Sequence, residues 1–421
     1  MVIFMKKRVI STLAGVLAAA TLSSCASTVP SALVKAVSPP KINQNDADER
    51  NRFRSENVVD DSFYEALNEF TAKTAEKLLQ DSGNLNYSPL SLFFALSMAA
   101  EGAEGETAAE LQRLLYGSEG ARTDDLNHLL NLLLGNPSEC TELAIADSIW
   151  SSTDIKMPYA ERMAEKLYSE VFVIDAFNEK TAKSMSDWVS EKTKGTLKPE
   201  FSFDEASSFP TVMSLINTIY FKSEWVDRFQ KSKNTKAVFH APTGDVEADF
   251  MNRGSMGSFS RGDGWLRASL SLKGGSVTFV LPTGDKDIRE LLADSGLRVL
   301  LEGGESTYGD IIWSVPKFSF SSDLNFKSAL KDLGCKSLFT ENADFSNMSD
   351  TSPLLVSDVL GGTQISLDEK GVCASAYTAI TYAGAAMPQD KAEMILNRPF
   401  LYQISYKNVT LFTGIVENPG V

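Results

Sequence analysis

The spacing of apolar residues predicts helices in the first half of the chain. The segment 61–80 carries apolar residues at helical spacing, at Phe63, Leu67, Phe70 and Leu78. A nearly all-apolar segment begins at Pro89, which predicts a buried helix with Ser88 as its N-cap. Residues 181–195 form a third, amphipathic pattern that ends at a glycine.

Apolar runs and alternating apolar residues predict strands around these helices. Residues 143–152 alternate, and residues 211–225 form a long apolar run. Turn residues separate the later segments, and neither an internal repeat nor a second linker divides them. We therefore expect one large α+β domain. The later strand segments are 237–242, 244–251, 265–272, 275–282, 310–322, 398–406 and 409–416.

A long stretch near the C-terminus carries no charge. Between Gly371 and Gln389 there is no charged residue, although 23% of the whole chain is charged, and no proline occurs before Pro388. Two interpretations are open: a core strand or low-complexity loop, and a loop built to become a strand. Strand side chains alternate between two faces. One face would carry Val372, Ala374, Ala376, Thr378, Ile380 and Tyr382, and the other Cys373, Ser375, Tyr377, Ala379 and Thr381.

Two segments near the C-terminus resemble signatures of the serpin family. DEKGVCASAYTAI at residues 368–380 is similar to the family's hinge, and LNRPFLYQISYKNVTLFTGIVENP at residues 396–419 to its C-terminal signature. Similar motifs follow in unbroken order over residues 58–421. The resemblance implies an α+β serpin fold of about nine helices around three β-sheets, with a large central sheet and an exposed reactive centre loop at about residues 369–390. It assigns the hinge to Glu369, Lys370, Gly371, Val372, Cys373, Ala374, Ser375, Ala376, Tyr377 and Thr378.

The same resemblance implies a region where the central sheet opens to admit the loop. Glu369 and Lys317 resemble a family ion pair at the top of that opening. Ser186 stands in place of a usual asparagine and Gly361 in place of a usual histidine. Cys373 takes the place of a usual acidic residue, on the outward face. The residues implied at the opening are Ser88, Pro89, Ser91, Ser186, Asn217, Trp225, Lys317 and Gly361.

The resemblance further implies inhibition of a protease by a suicide substrate. A protease would attack a bait bond in the loop, and the cut loop would insert into the central sheet. Counting sixteen positions from Glu369 gives the reactive bond Ala385–Ala386, with Ala386 and Met387 as alternatives for the residue before the cut.

Small residues around that bond indicate which proteases are targets. They suit a shallow specificity pocket, so we expect elastase-like or subtilisin-like serine proteases, and some cysteine proteases. We expect the inhibitor to be a monomer. Two other functions remain open: a serpin-fold surface protein that binds without inhibiting, and a structural or adhesive surface lipoprotein.

The N-terminus has the pattern of an export signal. Basic residues precede an apolar run that ends in Leu22-Ser23-Ser24-Cys25, which resembles a bacterial lipobox. We expect residues 1–24 to be a signal peptide and Cys25 to be lipidated, although an ordinary signal with a chance cysteine is the alternative. Residues 25–57 then predict a flexible tether to a domain at residues 58–421. The expected location is the cell surface, lipid-anchored to a bacterial membrane.

Charge and residue counts argue against other classes of function. A net charge of −15 without a basic cluster argues against nucleic acid as a partner. Besides Cys25 there are three widely spaced cysteines, and no pattern indicates a metal site or another cofactor. The chain has two histidines and no catalytic motif, so we expect no enzymatic activity.

Overall fold

The computed structural model has an α+β fold, as the sequence predicts. It describes residues 29–43, 45–118, 120, 122–135, 140–203, 211–356, 359–372 and 390–420. Within these ranges there are ten α-helices, close to the nine expected. None of the described helices is both long enough and apolar enough to cross a membrane. The helices are α1 (Ala47–Glu56), α2 (Asp61–Leu78), α3 (Pro89–Gly102), α4 (Gly105–Tyr116), α5 (Thr123–Leu134), α6 (Met157–Lys166), α7 (Glu179–Lys192), α8 (Ile288–Ser295), α9 (Leu297–Glu302) and α10 (Lys327–Asp332).

Fifteen strands form two hydrogen-bonded sheets in the described part of the chain. They are β1 (Leu85–Tyr87), β2 (Thr141–Ser151), β3 (Ser169–Val173), β4 (Met213–Glu224), β5 (Thr235–Ala241), β6 (Gly244–Gly262), β7 (Trp265–Leu272), β8 (Gly275–Pro282), β9 (Glu305–Pro316), β10 (Phe318–Asn325), β11 (Leu360–Asp368), β12 (Gly371–Val372), β13 (Lys391–Ile395), β14 (Phe400–Tyr406) and β15 (Val409–Val416).

The strand pairings explain why two sheets are described where three were expected. The central sheet has six strands in the order β10-β11-β12-β4-β2-β3. The other sheet has nine strands in the order β1-β15-β14-β8-β7-β6-β9-β13, with β5 paired to β6. Strand β6 is 19 residues long and pairs with β5 over residues 244–250, with β9 over residues 250–261 and with β7 over residues 259–262. One continuous strand therefore joins what would otherwise be two sheets.

Helix α3 packs on one face of the central sheet, as its apolar sequence predicts. Its predicted N-cap is confirmed, because Ser88 Oγ accepts a hydrogen bond of 3.3 Å from the backbone N–H of Ser91. Phe93 of α3 is fully buried and meets Phe63 and Phe70 of α2 edge to face, with centroid distances of 5.8 and 5.1 Å. Truncating such a buried ring to alanine typically costs about 3–5 kcal/mol.

Helix α7 covers the opposite face of the central sheet. There Trp150 of β2 stacks on Phe172 of β3 with ring centroids 4.2 Å apart. Trp188 of α7 is buried in the same apolar cluster, and its indole N–H donates a 2.7 Å hydrogen bond to Glu170. Because α3 and α7 lie on opposite faces, any strand that enters this sheet must fit between them.

The structure differs from the predicted tether between residues 29 and 57. The backbone N–H of Leu33 donates to the carbonyl of Val171 at 2.7 Å, and Val34 forms a β-bridge with the same residue. Helix α1 begins after Asp46, and its Phe53 is buried. β3 lies at the edge of the central sheet, where unpaired backbone groups can bind another segment. The sequence could not indicate this pairing, because residues 29–57 have no apolar periodicity. Residues 25–28, including Cys25, lie outside the described residues.

Candidate functional site at the opening of the central sheet

Strand β12 lies between β11 and β4, at the predicted opening of the central sheet. Val372 pairs with Leu367 of β11 on one side and with Ser223 of β4 on the other, both antiparallel. Gly371 has φ of 145°, and a Cβ there would lie 2.3 Å from the carbonyl oxygen of Ser223. Only glycine fits this approach. The chain therefore enters the space between two strands at this point.

The predicted partners Glu369 and Lys317 lie together at this entrance. Glu369 Oε1 is 3.5 Å from Lys317 Nζ and accepts a 2.5 Å hydrogen bond from Asn234 Nδ2. Lys317 also lies 3.3 Å from Asp249. Burial opposes ionisation of Glu369, but its hydrogen bonds and Lys317 outweigh burial and lower the pKa of the carboxyl group. No sequence pattern indicated that Asn234 would lie at this entrance.

Trp225 fixes the turn that leads into β12. The tryptophan is buried, and its indole N–H donates to the carbonyl of Asp368 at 2.9 Å. Its backbone N–H donates to the carbonyl of Lys370 at 3.0 Å. The Lys370 N–H in turn donates to the Asp368 side chain at 2.8 Å. The turn between β11 and β12 is therefore tied to the end of β4 by both backbone and side chain.

A buried carboxylate that the sequence did not indicate lies at the end of β4. Glu224 contacts Arg228 at 2.9 Å and Lys273 at 2.8 Å, and its backbone pairs with Gly371. Burial opposes its ionisation, but the hydrogen bond from Lys273 and the contact with Arg228 outweigh that effect and lower the pKa of Glu224. Glu224 and Lys273 are 49 positions apart in the sequence, so a local pattern could not indicate this pair.

Ser88, Pro89 and Ser91 form the first turn of α3, directly under β4. Ser88 caps the helix and Pro89 takes its first position, where the missing N–H has no cost. Ser91 Oγ donates to Asn217 Oδ1 of β4, and Asn217 Nδ2 donates to Asp147 Oδ1 of β2 at 2.8 Å. A chain of hydrogen bonds therefore connects the helix to two strands of the central sheet.

The family resemblance predicted that Ser186 replaces an asparagine at the sheet opening. The structure does not place Ser186 at that polar contact. Ser186 lies on α7, whereas the asparagine that meets Ser91 is Asn217. Sequence spacing could not decide this, because the contact depends on which strand passes over α3. At Gly361 of β11, a Cβ would lie 2.5 Å from the ring of Phe326. The buried Phe326 ring thus takes the space that a side chain at position 361 would need.

The rest of the predicted hinge and reactive bond lies outside the described residues. This applies to the outer hinge positions, to the bait residues and to the lipidation site. They are Cys373, Ala374, Ser375, Ala376, Tyr377, Thr378, Ala385, Ala386, Met387 and Cys25.

Comparison with known proteins identifies similar sequences and structures over most of the chain. A family model described as serpin (serine protease inhibitor) matches residues 65–419. An uncharacterised serpin-like protein of Thermococcus kodakarensis is 29% identical, over 84% of this chain and 85% of the relative. Plasminogen activator inhibitor 1 of Neovison vison is also 29% identical, over 84% and 92%. The native-state crystal structure of tengpin, a thermophilic serpin, has a TM-score of 0.77 at 25% identity and covers 92% of this chain and 99% of that chain.

Proposed function

Because the chain belongs to the serpin family, we propose that it inhibits serine proteases as a suicide substrate whose cut loop inserts beside β4. The observation that carries this proposal is the position of β12. Gly371 and Val372 already occupy the first two places of a strand between β11 and β4. An inserted loop would extend β12 along the same two partners.

The register of β12 predicts which loop residues would face the core after insertion. In the antiparallel register set by Val372, position 374 would lie opposite Ile365 and Phe221, which are both buried. Positions 376 and 378 follow on the same face, since side chains alternate. Ala374, Ala376 and Thr378 are small and uncharged. The side chains on the entering face therefore suit a space bounded by α3.

Backbone pairing and burial would drive the insertion. Each added backbone hydrogen bond contributes about 0.5–1.5 kcal/mol net, and burying apolar surface adds about 25 cal/mol per Å². A strand paired on both sides could thus gain on the order of 10 kcal/mol over the uncut loop. The uncut state would then be metastable, and its lifetime would be set by a kinetic barrier.

Inhibition would result from competition between insertion and deacylation. The protease serine attacks the bait carbonyl and forms an acyl-enzyme, which water would normally hydrolyse. Insertion of the loop before hydrolysis carries the attached protease away and distorts its catalytic groups. With Ala385–Ala386 as the reactive bond, elastase-like or subtilisin-like enzymes are the proposed targets.

A protease panel tests the inhibitory function. We expect an elastase-like or subtilisin-like enzyme to form a complex that survives denaturing electrophoresis, and to release a C-terminal fragment that begins at Ala386. Trypsin serves as the comparison, because the six residues from Ala385 to Asp390 contain no lysine or arginine. Cleavage of the loop by every protease without a complex would favour a binding protein that does not inhibit. A fragment that begins beyond Pro388 would contradict the assigned bond.

We also propose that Cys25 carries lipid and holds the protein on a bacterial membrane surface. The basic and apolar residues before it and the Leu-Ser-Ser-Cys ending support this. Labelling with an alkyne fatty acid should mark the wild-type protein and fail with Cys25→Ser. An unlabelled wild-type protein would contradict the anchor.

A further inference from the structure

A carboxylic acid is buried behind the contact between α3 and the central sheet. Asp147 of β2 is only 1% exposed and lies directly opposite Asn217 of β4. Asn217 donates to Asp147 and accepts from Ser91, so the three side chains form one hydrogen-bonded chain. A shift of β4 over the first turn of α3 would break this chain at Ser91.

The surroundings of Asp147 contain no counter-charge among the described residues. Beside it on β3 lies the buried Ser169, which donates to Met98 of α3 at 3.4 Å. Tyr159 of α6 donates to the Met98 carbonyl at 2.9 Å, and burial raises the pKa of that tyrosine well above its ordinary value. Burial likewise raises the pKa of Asp147 to about 7, and the hydrogen bond from Asn217 opposes this only in part.

Charged groups on the elements around β2 contact other partners. On β3, Glu170 points to the opposite face, where it contacts Trp188 and Lys192 of α7. Further contacts are Glu142 of β2 with Lys222 of β4, Glu101 of α3 with Arg162, Asp124 of α5 with Lys166, Asp125 of α5 with Arg122, and His128 of α5 with the carbonyl of Val58. An ionised Asp147 would therefore be a buried charge held by one amide alone, which is a costly state.

We propose that Asp147 is a positioning residue for loop insertion: its neutral form holds the central sheet closed, and its ionised form favours parting of β4 from β11. This inference rests on the proposed insertion mechanism. When β4 moves over α3, water gains access to the Asp147–Asn217 contact and can solvate the carboxylate. Hydration stabilises the neutral acid much less than the carboxylate. Loss of the proton therefore shifts the opening equilibrium towards the open sheet.

The sign of the pH dependence follows from linkage. The closed sheet binds the Asp147 proton more tightly than an open, hydrated sheet does. Closure is therefore fully favoured below the ordinary carboxyl range and weakens as pH rises towards 7. The opening equilibrium should increase by up to about tenfold per pH unit over that interval, because one proton is released. Above the Asp147 pKa of about 7 it should level off.

Hydrogen exchange of the uncut protein between pH 5 and 8.5 tests this inference. Protection factors, corrected for intrinsic exchange, are measured for peptides that cover β4 and β11. In the wild type, β4 protection should fall by up to tenfold per unit until about pH 7, whereas Asp147→Asn should give a flat profile. Asp323→Asn, which removes an exposed carboxylate from β10 of the same sheet, should behave as the wild type. A sloping profile in Asp147→Asn, or a wild-type protection that is flat or rises with pH, would overturn the proposal.

A second variant keeps the test valid if Asp147→Asn does not fold. Ser91→Ala cuts the hydrogen-bonded chain at the helix and leaves the acid in place. It should lower β4 protection at every pH and retain the change of slope near pH 7, and loss of that change would contradict the proposal. No protease takes part in this measurement. A correct pH profile without protease trapping would refute the inhibitory function alone, and trapping with a flat profile would refute the role of Asp147 alone.

Discussion

At the scale of single residues, small side chains allow the backbone to enter the central sheet. Gly371 passes the carbonyl of Ser223 at a distance that no Cβ could occupy, and Val372 is the first side chain on the core face. In the same register, Ala376 would lie opposite Ile219 and Thr363. In the proposed inserted state, neither of these side chains would offer a partner for a charge at position 376.

Ala376→Arg should convert the inhibitor into a substrate. Burying an unpaired guanidinium costs several kcal/mol, and each 1.4 kcal/mol of added barrier slows insertion about tenfold. Deacylation would then be faster than insertion, and protease assays should show a cut loop with at least a tenfold loss of the covalent complex. The control Ser375→Arg places the same charge on the outward face, where Gln364 of β11 is exposed. Equal trapping by both variants would show that the face assignment is wrong.

Some of these residues could be predicted from the sequence, and others could not. Ser88 as an N-cap follows from a local pattern, because a cap depends on neighbouring residues. The glycine of the hinge was predicted from the resemblance to the serpin family. Asp147 contacts Asn217 only through the register of two strands that are 70 residues apart. The prediction that Ser186 lies at the sheet opening was wrong for the same reason, because that contact also depends on how distant strands are arranged.

At the scale of elements, the turn between β11 and β12 is held by contacts from several strands. Lys317 follows β9, Asn234 precedes β5, and Trp225 follows β4, and all three contact the turn at residues 368–370. The sequence indicated each of these strands. It could not show that their ends meet at one point, since this depends on the order β10-β11-β12-β4 in the finished sheet.

Glu369→Gln should loosen this turn and make the uncut protein less stable. Losing charge-assisted contacts to Lys317 should lower the free energy of unfolding by about 1–3 kcal/mol at pH 7, measured by denaturant titration. Because the pKa of Glu369 is lowered, its contribution is present above the ordinary value of 4.5 and is lost as pH falls through the lowered value. The two proteins should therefore converge in acid.

Glu247→Gln provides the matched control for the turn. Glu247 forms a 2.8 Å pair with Lys236, and both side chains are about two-thirds exposed. Such pairs contribute about 0–1 kcal/mol, so this variant should be nearly as stable as the wild type. If Glu369→Gln costs no more than Glu247→Gln, the entrance contact is an ordinary surface pair.

At the scale of the whole molecule, the proposed mechanism requires a place for one more strand in the central sheet. The central sheet lies between α3 and α7, and among the described residues β12 contributes Gly371 and Val372 between β11 and β4. The order of motifs along the chain was enough to predict the family and its α+β fold. The position of residues 29–57 on the domain was not predictable, because isolated apolar residues such as Val34 carry no periodic signal.

Hydrogen exchange before and after cleavage of the bait bond tests whether the cut loop inserts beside β4. The uncut protein and the protein cut by an elastase-like protease are compared over peptides that cover β4, β11 and residues 373–384. We expect slower exchange in all three regions after the cut, because each gains strand partners, together with a higher unfolding temperature. Unchanged exchange in β4 and β11, with fast exchange in residues 373–384, would show that the cut loop does not insert and would contradict the account.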